Sequence, residues 1–140
     1  MSVSGYLLDT NVISETRKPR PNGGVLAFLS AAASDGLFLS VLTLGELRKG
    51  VEAKRKTDPI NAGLLSAWVD GIELTFADRV LPIDAPVART WGQLNGAGRS
   101  LPVIDVLIAA TALTRGLTLV TLNVNDVKST GVPLMNPWMV

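Results

Sequence analysis

The chain has 140 residues, 47% of them hydrophobic and 18% charged, which suits one folded domain with a buried core and excludes a disordered chain. Its formal net charge of +1 names no partner. It contains no cysteine and no histidine, which removes disulfides, thiol nucleophiles, Cys/His zinc sites and every histidine acid–base mechanism. Any catalysis must come from carboxylates, Lys, Tyr, Ser, Thr or a bound metal. The mean hydropathy of +0.33 is high for a chain of this size, so a large core and partner-covered apolar surface are both expected.

Tyr6-Leu-Leu8 is a short apolar run ending at Asp9-Thr-Asn11, which predicts a buried strand. A brief helix is expected over Val12–Arg17, stopped before Pro19. Pro19 to Gly24 reads as a loop and Val25–Ala33 as a helix. Leu37–Ser40 predicts a second strand. Helices follow over Thr43–Arg55 and Leu64–Leu74, each with apolar residues at helical spacing. Val80–Ile83 reads as a strand. Asp84-Ala-Pro86 opens a helix to about Leu94, and Gly96-Ala-Gly98 ends it. Pro102 begins a helix through Asp105 to Arg115, closed by Gly116. Leu117–Thr121 is a strand, and Val132–Met135 a last short one. Apolar strands alternating with helices predict a parallel sheet covered on both faces, within one domain spanning residues 1–140. No segment is apolar enough over a sufficient length to span a bilayer. Met1 to Gly5 lacks the basic and apolar regions of a signal peptide, so a cytoplasmic protein with no membrane association is expected.

In open α/β sheets ligands bind at the carboxyl ends of the strands. Asp9 closes the first strand, Glu46 follows the second, and Asn123 and Asp126 follow the Leu117–Thr121 strand. Asp105 sits early in a helix, and only the fold can bring it to the others. Clustered carboxylates raise one another's pKa unless a cation neutralises them, and Mg²⁺ is a hard cation that takes such oxygen ligands. Each acid also has a structural reading. Thr43-Leu-Gly-Glu46 matches a capping box, Asp105 complements a helix dipole, Asp9 suits the helix after it as a cap, and Asp84 reads as a plain N-cap.

Four blocks occur in order: Leu7-Leu-Asp9-Thr-Asn11-Val-Ile; Ser40-Val-Leu-Thr43-Leu-Gly-Glu46-Leu; Leu101-Pro-Val-Ile-Asp105-Val-Leu-Ile-Ala-Ala-Thr111-Ala; and Leu119-Val-Thr121-Leu-Asn123-Val-Asn-Asp126. Together, over about Tyr6 to Pro137, they resemble the PIN-domain ribonucleases and, within them, the VapC toxins of toxin–antitoxin pairs. The resemblance implies a three-layer α/β/α sandwich with a mainly parallel sheet. It implies a Mg²⁺- or Mn²⁺-dependent endoribonuclease leaving 5′-phosphate and 3′-hydroxyl ends. Asp9, Glu46 and Asp105 match the family's first three acids and would be the metal ligands, with Glu46 acting directly or through water. Asn123 falls on the fourth position, and Asp126 is a spare acid. Thr10 or Asn11 would orient Asp9, and Thr121 would support the floor of the site. Leu122 stands where many relatives have Arg, and Val127 where many have Phe.

The partners implied are an RNA substrate, a small VapB-like antitoxin whose tail crosses an apolar groove into the site, and a second copy of the chain in a homodimer. Two basic clusters, Arg17, Lys18 and Arg20, and Arg48, Lys49, Lys54, Arg55 and Lys56, are candidates for contacts to RNA phosphates or to the antitoxin. Trp68, Trp91 and Trp138 read as core or dimer-interface residues rather than base-stacking platforms. The alternatives are a non-catalytic PIN-like module that binds RNA or protein, and a phosphoryl-accepting domain with Asp9 as nucleophile. The second lacks the additional acid or lysine such sites use at a strand end.

Overall fold

Short apolar segments place five parallel strands in one sheet. The computed structural model describes residues 5–96 and 101–139. Strand β1 (Tyr6–Leu8) lies at the centre, between β2 (Leu37–Ser40) and β4 (Thr118–Val120). The edges are β3 (Val80–Leu81) and β5 (Leu134–Met135), giving the order β3-β2-β1-β4-β5 with every pair parallel. Leu7 aligns with Phe38 on one side and Leu119 on the other.

Alternation along the strands splits the core in two. Leu8, Leu39 and Val120 point to one face, where they meet Val12 and Ile13 of α1 (Thr10–Glu15) and Val25 of α2 (Gly23–Ala31). Leu47 and Val51 of α3 (Val41–Arg55) and Val69 of α4 (Pro59–Thr75) complete that layer. Leu7 and Leu119 point the other way, onto Ile108, Ala109 and Ala112 of α6 (Val103–Arg115) and Val127 of α7 (Val124–Val127). The alanines let α6 lie close to the sheet. Helix α5 (Ala85–Asn95) packs on α6, with the Thr114 and Thr90 hydroxyls 3.2 Å apart and Arg115 Nη2 2.7 Å from Asp84 Oδ2. The architecture is the expected three-layer sandwich. Complete burial of a leucine such as Leu8 stabilises it by about 1.5–3 kcal/mol.

Element boundaries differ from the sequence reading in instructive places. Helix α1 begins at Thr10, two residues early, because Asp9 accepts from the Thr10 amide and caps it. Helix α3 begins at Val41 under a Ser40 cap, whose Oγ accepts from the Leu42 amide. Helix α4 begins at Pro59, five residues before the expected start, with Asp58 accepting from the Asn61 amide. Pro82 ends β3 after two residues, since proline donates nothing to a ladder. Asp84 caps α5 as expected, accepting from the Val87 amide. Gly96 is the C-cap of α5, and Ala97 and Gly98 of the expected stop signal lie outside the described residues. Gly116 closes α6 in the left-handed region at φ 68°, where glycine bears no Cβ penalty.

The chain's last turn, Pro137–Met139, seats on α2 at Gly24, where any Cβ would collide with the Pro137 carbonyl. Large apolar side chains also remain exposed, Ile60 at 81% and Leu74 at 80% among them, so the high hydropathy reflects both a filled core and uncovered apolar surface. No described helix is long and apolar enough to cross a membrane.

Candidate active site

Strand order reverses in sequence between β1 and β4, and a crevice is expected at the carboxyl ends of two such strands. A cleft of about 350 Å³ opens there, lined by Asp9, Thr10, Asn11, Ser14, Glu46, Asp105 and Asn123. The structure thus brings together all four residues singled out in the sequence. They arrive on separate elements: Asp9 at the end of β1, Glu46 on α3, Asp105 in the first turn of α6, and Asn123 as the N-cap of α7. Asp105 reaches the cleft because the body of α6 is held against Leu7 and Leu119.

Asp9 is the fixed point. It is only 6% exposed, and its amide donates to the Val120 carbonyl at 2.9 Å, tying β1 to β4 just below the site. Its Oδ1 accepts from the Thr10 amide at 2.8 Å. Its Oδ2 accepts from the Thr121 hydroxyl at 2.8 Å and from Asn11 Nδ2 at 3.3 Å. Burial pushes the carboxyl above its ordinary pKa. The hydrogen bonds from Thr121, Thr10 and Asn11 oppose the rise, and the nearby charge of Glu46 adds to it. Three of the carboxylate's roughly four lone-pair sites are thus used, which leaves Oδ1 with capacity for a further partner.

Thr121 does the most work per atom. Beyond its bond to Asp9, its Oγ1 accepts from the Asn123 amide at 3.0 Å and from Asn11 Nδ2 at 3.3 Å. Asn11 Oδ1 also accepts from the Leu122 amide at 3.3 Å. The Thr121→Val substitution therefore strips a buried carboxylate of its best donor and releases the Asn123 amide. It is expected to cost about 1–3 kcal/mol of stability and roughly 10–100-fold in activity. Thermal unfolding and single-turnover cleavage check this, and unchanged turnover contradicts the role assigned to Thr121.

Glu46 is half-buried and accepts from the Thr10 hydroxyl at 2.6 Å. The capping-box reading of Thr43 and Glu46 is thereby corrected. The helix starts earlier and is capped by Ser40, so Thr43 lies inside it and the Glu46 carboxylate is drawn across to α1. The orientation of Asp9 by Thr10 is refined too: the Thr10 amide serves Asp9, while its hydroxyl serves Glu46.

Asp105 has a pKa raised to about 6 by partial burial, then by the charges of Asp9, Asp126 and Glu46. The spare acid Asp126 thus bears on the site through its field. Among the described residues no three acidic side chains are placed to hold an ion by themselves. Mg²⁺ takes one or two carboxylates and completes its shell with water and substrate phosphate. The donor set is all oxygen and carries mutual repulsion that a cation relieves, so the residues present fit such an ion.

The basic residues divide. Arg48 is engaged in bracketing α3 to α4, with Nη2 2.6 Å from Asp70 and 3.2 Å from Glu73. This is a pairing across helices that no local pattern announces. Lys18 pairs at 2.8 Å with Glu15, a buried acid that also accepts from the Asn22 amide at 2.9 Å. The hydrogen bond from Lys18, then that from Asn22, hold the Glu15 carboxyl below its ordinary pKa. Arg17 lies 5.6 Å over the Trp68 ring. Trp68 and Trp138 pack against the α1–α4 core, as the sequence suggested. Trp91 carries a buried indole N–H that has no partner among the described residues.

The family model of the PIN domain matches residues 6–128. The toxin FitB of Neisseria gonorrhoeae is 37% identical over 136 residues, 94% of this chain and 97% of that protein. A VapC ribonuclease, Y4jK, of Sinorhizobium fredii is 35% identical over 141 residues, 94% of this chain and 96% of that one. Among solved structures, FitAcB from N. gonorrhoeae superposes with a TM-score of 0.89 at 35% identity, covering 96% of this chain and 99% of the other. VapBC-5 from Mycobacterium tuberculosis, described as a member of the VapBC family of toxin–antitoxin systems, gives 0.65 at 27% identity over 95% and 97%. A matched segment that contains Asp9, Glu46, Asp105 and Asn123, and relatives alike over nearly their full length, show that the chain belongs to the PIN-domain family.

Proposed function

We propose that this chain is the toxin of a toxin–antitoxin pair, an endoribonuclease that hydrolyses RNA phosphodiester bonds with the help of Mg²⁺ or Mn²⁺. The observation that carries the reading is the convergence of Asp9, Glu46 and Asp105 on one open cleft at the β1/β4 crevice, in a chain without histidine or cysteine. The names of the relatives, a toxin and a VapC ribonuclease, agree with it.

Asp9 and Asp105 are the carboxylates that would hold the cation, one rigid and buried, the other more open. The bound ion supplies positive charge that polarises the phosphate and acidifies water. Glu46, fixed by Thr10, is placed to orient a water molecule and take its proton. Attack on phosphorus breaks the bond to the 3′ oxygen, leaving a 5′-phosphate and a 3′-hydroxyl. Asn123 offers a neutral amide at the cleft edge, with no further charge to be neutralised.

An apolar groove of about 290 Å³ adjoins the carboxylates, with walls that include Arg17, Leu47, Leu65 and Trp68. It shares Thr10, Ser14 and Glu46 with the cleft, so an antitoxin segment lying in it would reach the catalytic groups. Expression of the chain alone is expected to arrest growth of a bacterial host, and the Asp9→Asn variant is expected to be harmless at the same protein level. Growth arrest that survives Asp9→Asn would refute the proposed link between this cleft and toxicity.

A further inference from the structure

We propose that Thr43, acting through the Thr10 hydroxyl, is a positioning residue that holds Glu46 in its working rotamer. Thr43 is fully buried, and among the described residues its hydroxyl has one partner, Thr10 Oγ1 at 3.0 Å. Thr75, Thr111 and Thr114, further along their helices, each donate to the carbonyl four residues back, at 2.9, 2.8 and 2.7 Å. Thr43 lies in the first turn of α3, where the residue four back is Leu39 of β2, and its hydroxyl reaches across to α1 instead.

The direction of the chain follows from the donor inventory. An ionised Glu46 accepts only, so the single Thr10 proton lies in the 2.6 Å bond to Glu46 Oε1, a length typical of a charge-assisted hydroxyl–carboxylate bond. The Thr10 oxygen is then free to accept, and Thr43 supplies the proton. The order Thr43 to Thr10 to Glu46 polarises each bond in turn. Thr43 and Glu46 lie three residues apart on α3, so the bridge through Thr10 braces one helical turn against the element that carries Asp9 at its cap. Without Thr43, the Thr10 hydroxyl keeps its bond to Glu46 but loses the partner that holds its oxygen in place, so the Thr10–Glu46 pair gains rotational freedom.

The functional half of this inference rests on the ribonuclease reading, and the positional half does not. The experiment compares wild type with Thr43→Val, which keeps the shape and removes the hydroxyl, and with Thr43→Ser, which keeps the hydroxyl. Side-chain NMR couplings of Glu46 in metal-free protein should report one rotamer in wild type and in Thr43→Ser, and rotamer averaging in Thr43→Val. On an RNA substrate, kcat should fall by about 10–100-fold in Thr43→Val with KM within about 2-fold, the loss expected from a misplaced group. Thr43→Ser should recover most of it. Unchanged couplings or unchanged kcat in Thr43→Val overturns the proposal, as does equal damage in both variants, which would assign Thr43 to packing. Wild type that cleaves no RNA would instead overturn the ribonuclease reading, with the couplings still deciding the positional claim.

Discussion

Replacing Asp105 with Asn is expected to lower RNA cleavage by at least about 100-fold, since losing even a group that supports a metal ligand costs roughly 10–100-fold, while raising the melting temperature of the metal-free protein above pH 7. The two effects have one cause. Asp105 is ionised only against partial burial and the charges of Asp9, Asp126 and Glu46, which raise its pKa from 3.8 to about 6. Between those values the folded state binds the extra proton, so folding is penalised progressively as pH rises and fully once pH exceeds about 6. An amide has nothing to ionise and escapes the penalty. The gain in melting temperature should therefore be largest at pH 7–8 and vanish below pH 4. Melting curves at the two pH values, with cleavage measured on the same preparations, check both halves. A variant that loses activity and stability together at pH 8 would place Asp105 in the packing rather than in the site.

Chelation of divalent cations is expected to stop cleavage, and added Mg²⁺ or Mn²⁺ to restore it. The same carboxyl dictates the pH dependence. A cation must displace the Asp105 proton, so its apparent affinity falls as pH drops below about 6, by approximately tenfold per unit for one displaced proton. Calorimetry of Mg²⁺ binding in two buffers of different ionisation enthalpy should show proton release at pH 5.5 and almost none at pH 7.5. Full cleavage in excess chelator would remove the cation from the mechanism.

Much of this site was legible before the fold was known, for physical reasons. Tyr6–Leu8 and Leu37-Phe38-Leu39 are apolar on both faces, as strands of a covered parallel sheet are, with Asp9 directly after the first and Glu46 in the helix after the second. The helix from Val103 to the left-handed Gly116 followed from its proline and glycine punctuation. What escaped depends on contacts between distant segments. Thr43 and Glu46 match a local capping pattern, and only the packing of α1 beside α3 shows that their oxygens meet at Thr10. Arg48 looked like a surface cation until α4 placed Asp70 and Glu73 beside it. The first turn of α4 is obscured in the sequence by Asn61 and Gly63, poor helix formers, although Asp58-Pro59 is a sound cap signal. The approach of Asp105 to Asp9 needs β4 beside β1 with α6 laid across both.

The central claim is that the cleft anchored by Asp9 is the place where RNA is cut. The most direct measurement is the cleavage of a single-stranded RNA in Mg²⁺ by purified wild type and by Asp9→Asn, with the folded state of both verified by circular dichroism. The expected result is cleavage to 5′-phosphate ends by wild type and none by the folded variant; equal cleavage by the two would contradict the claim.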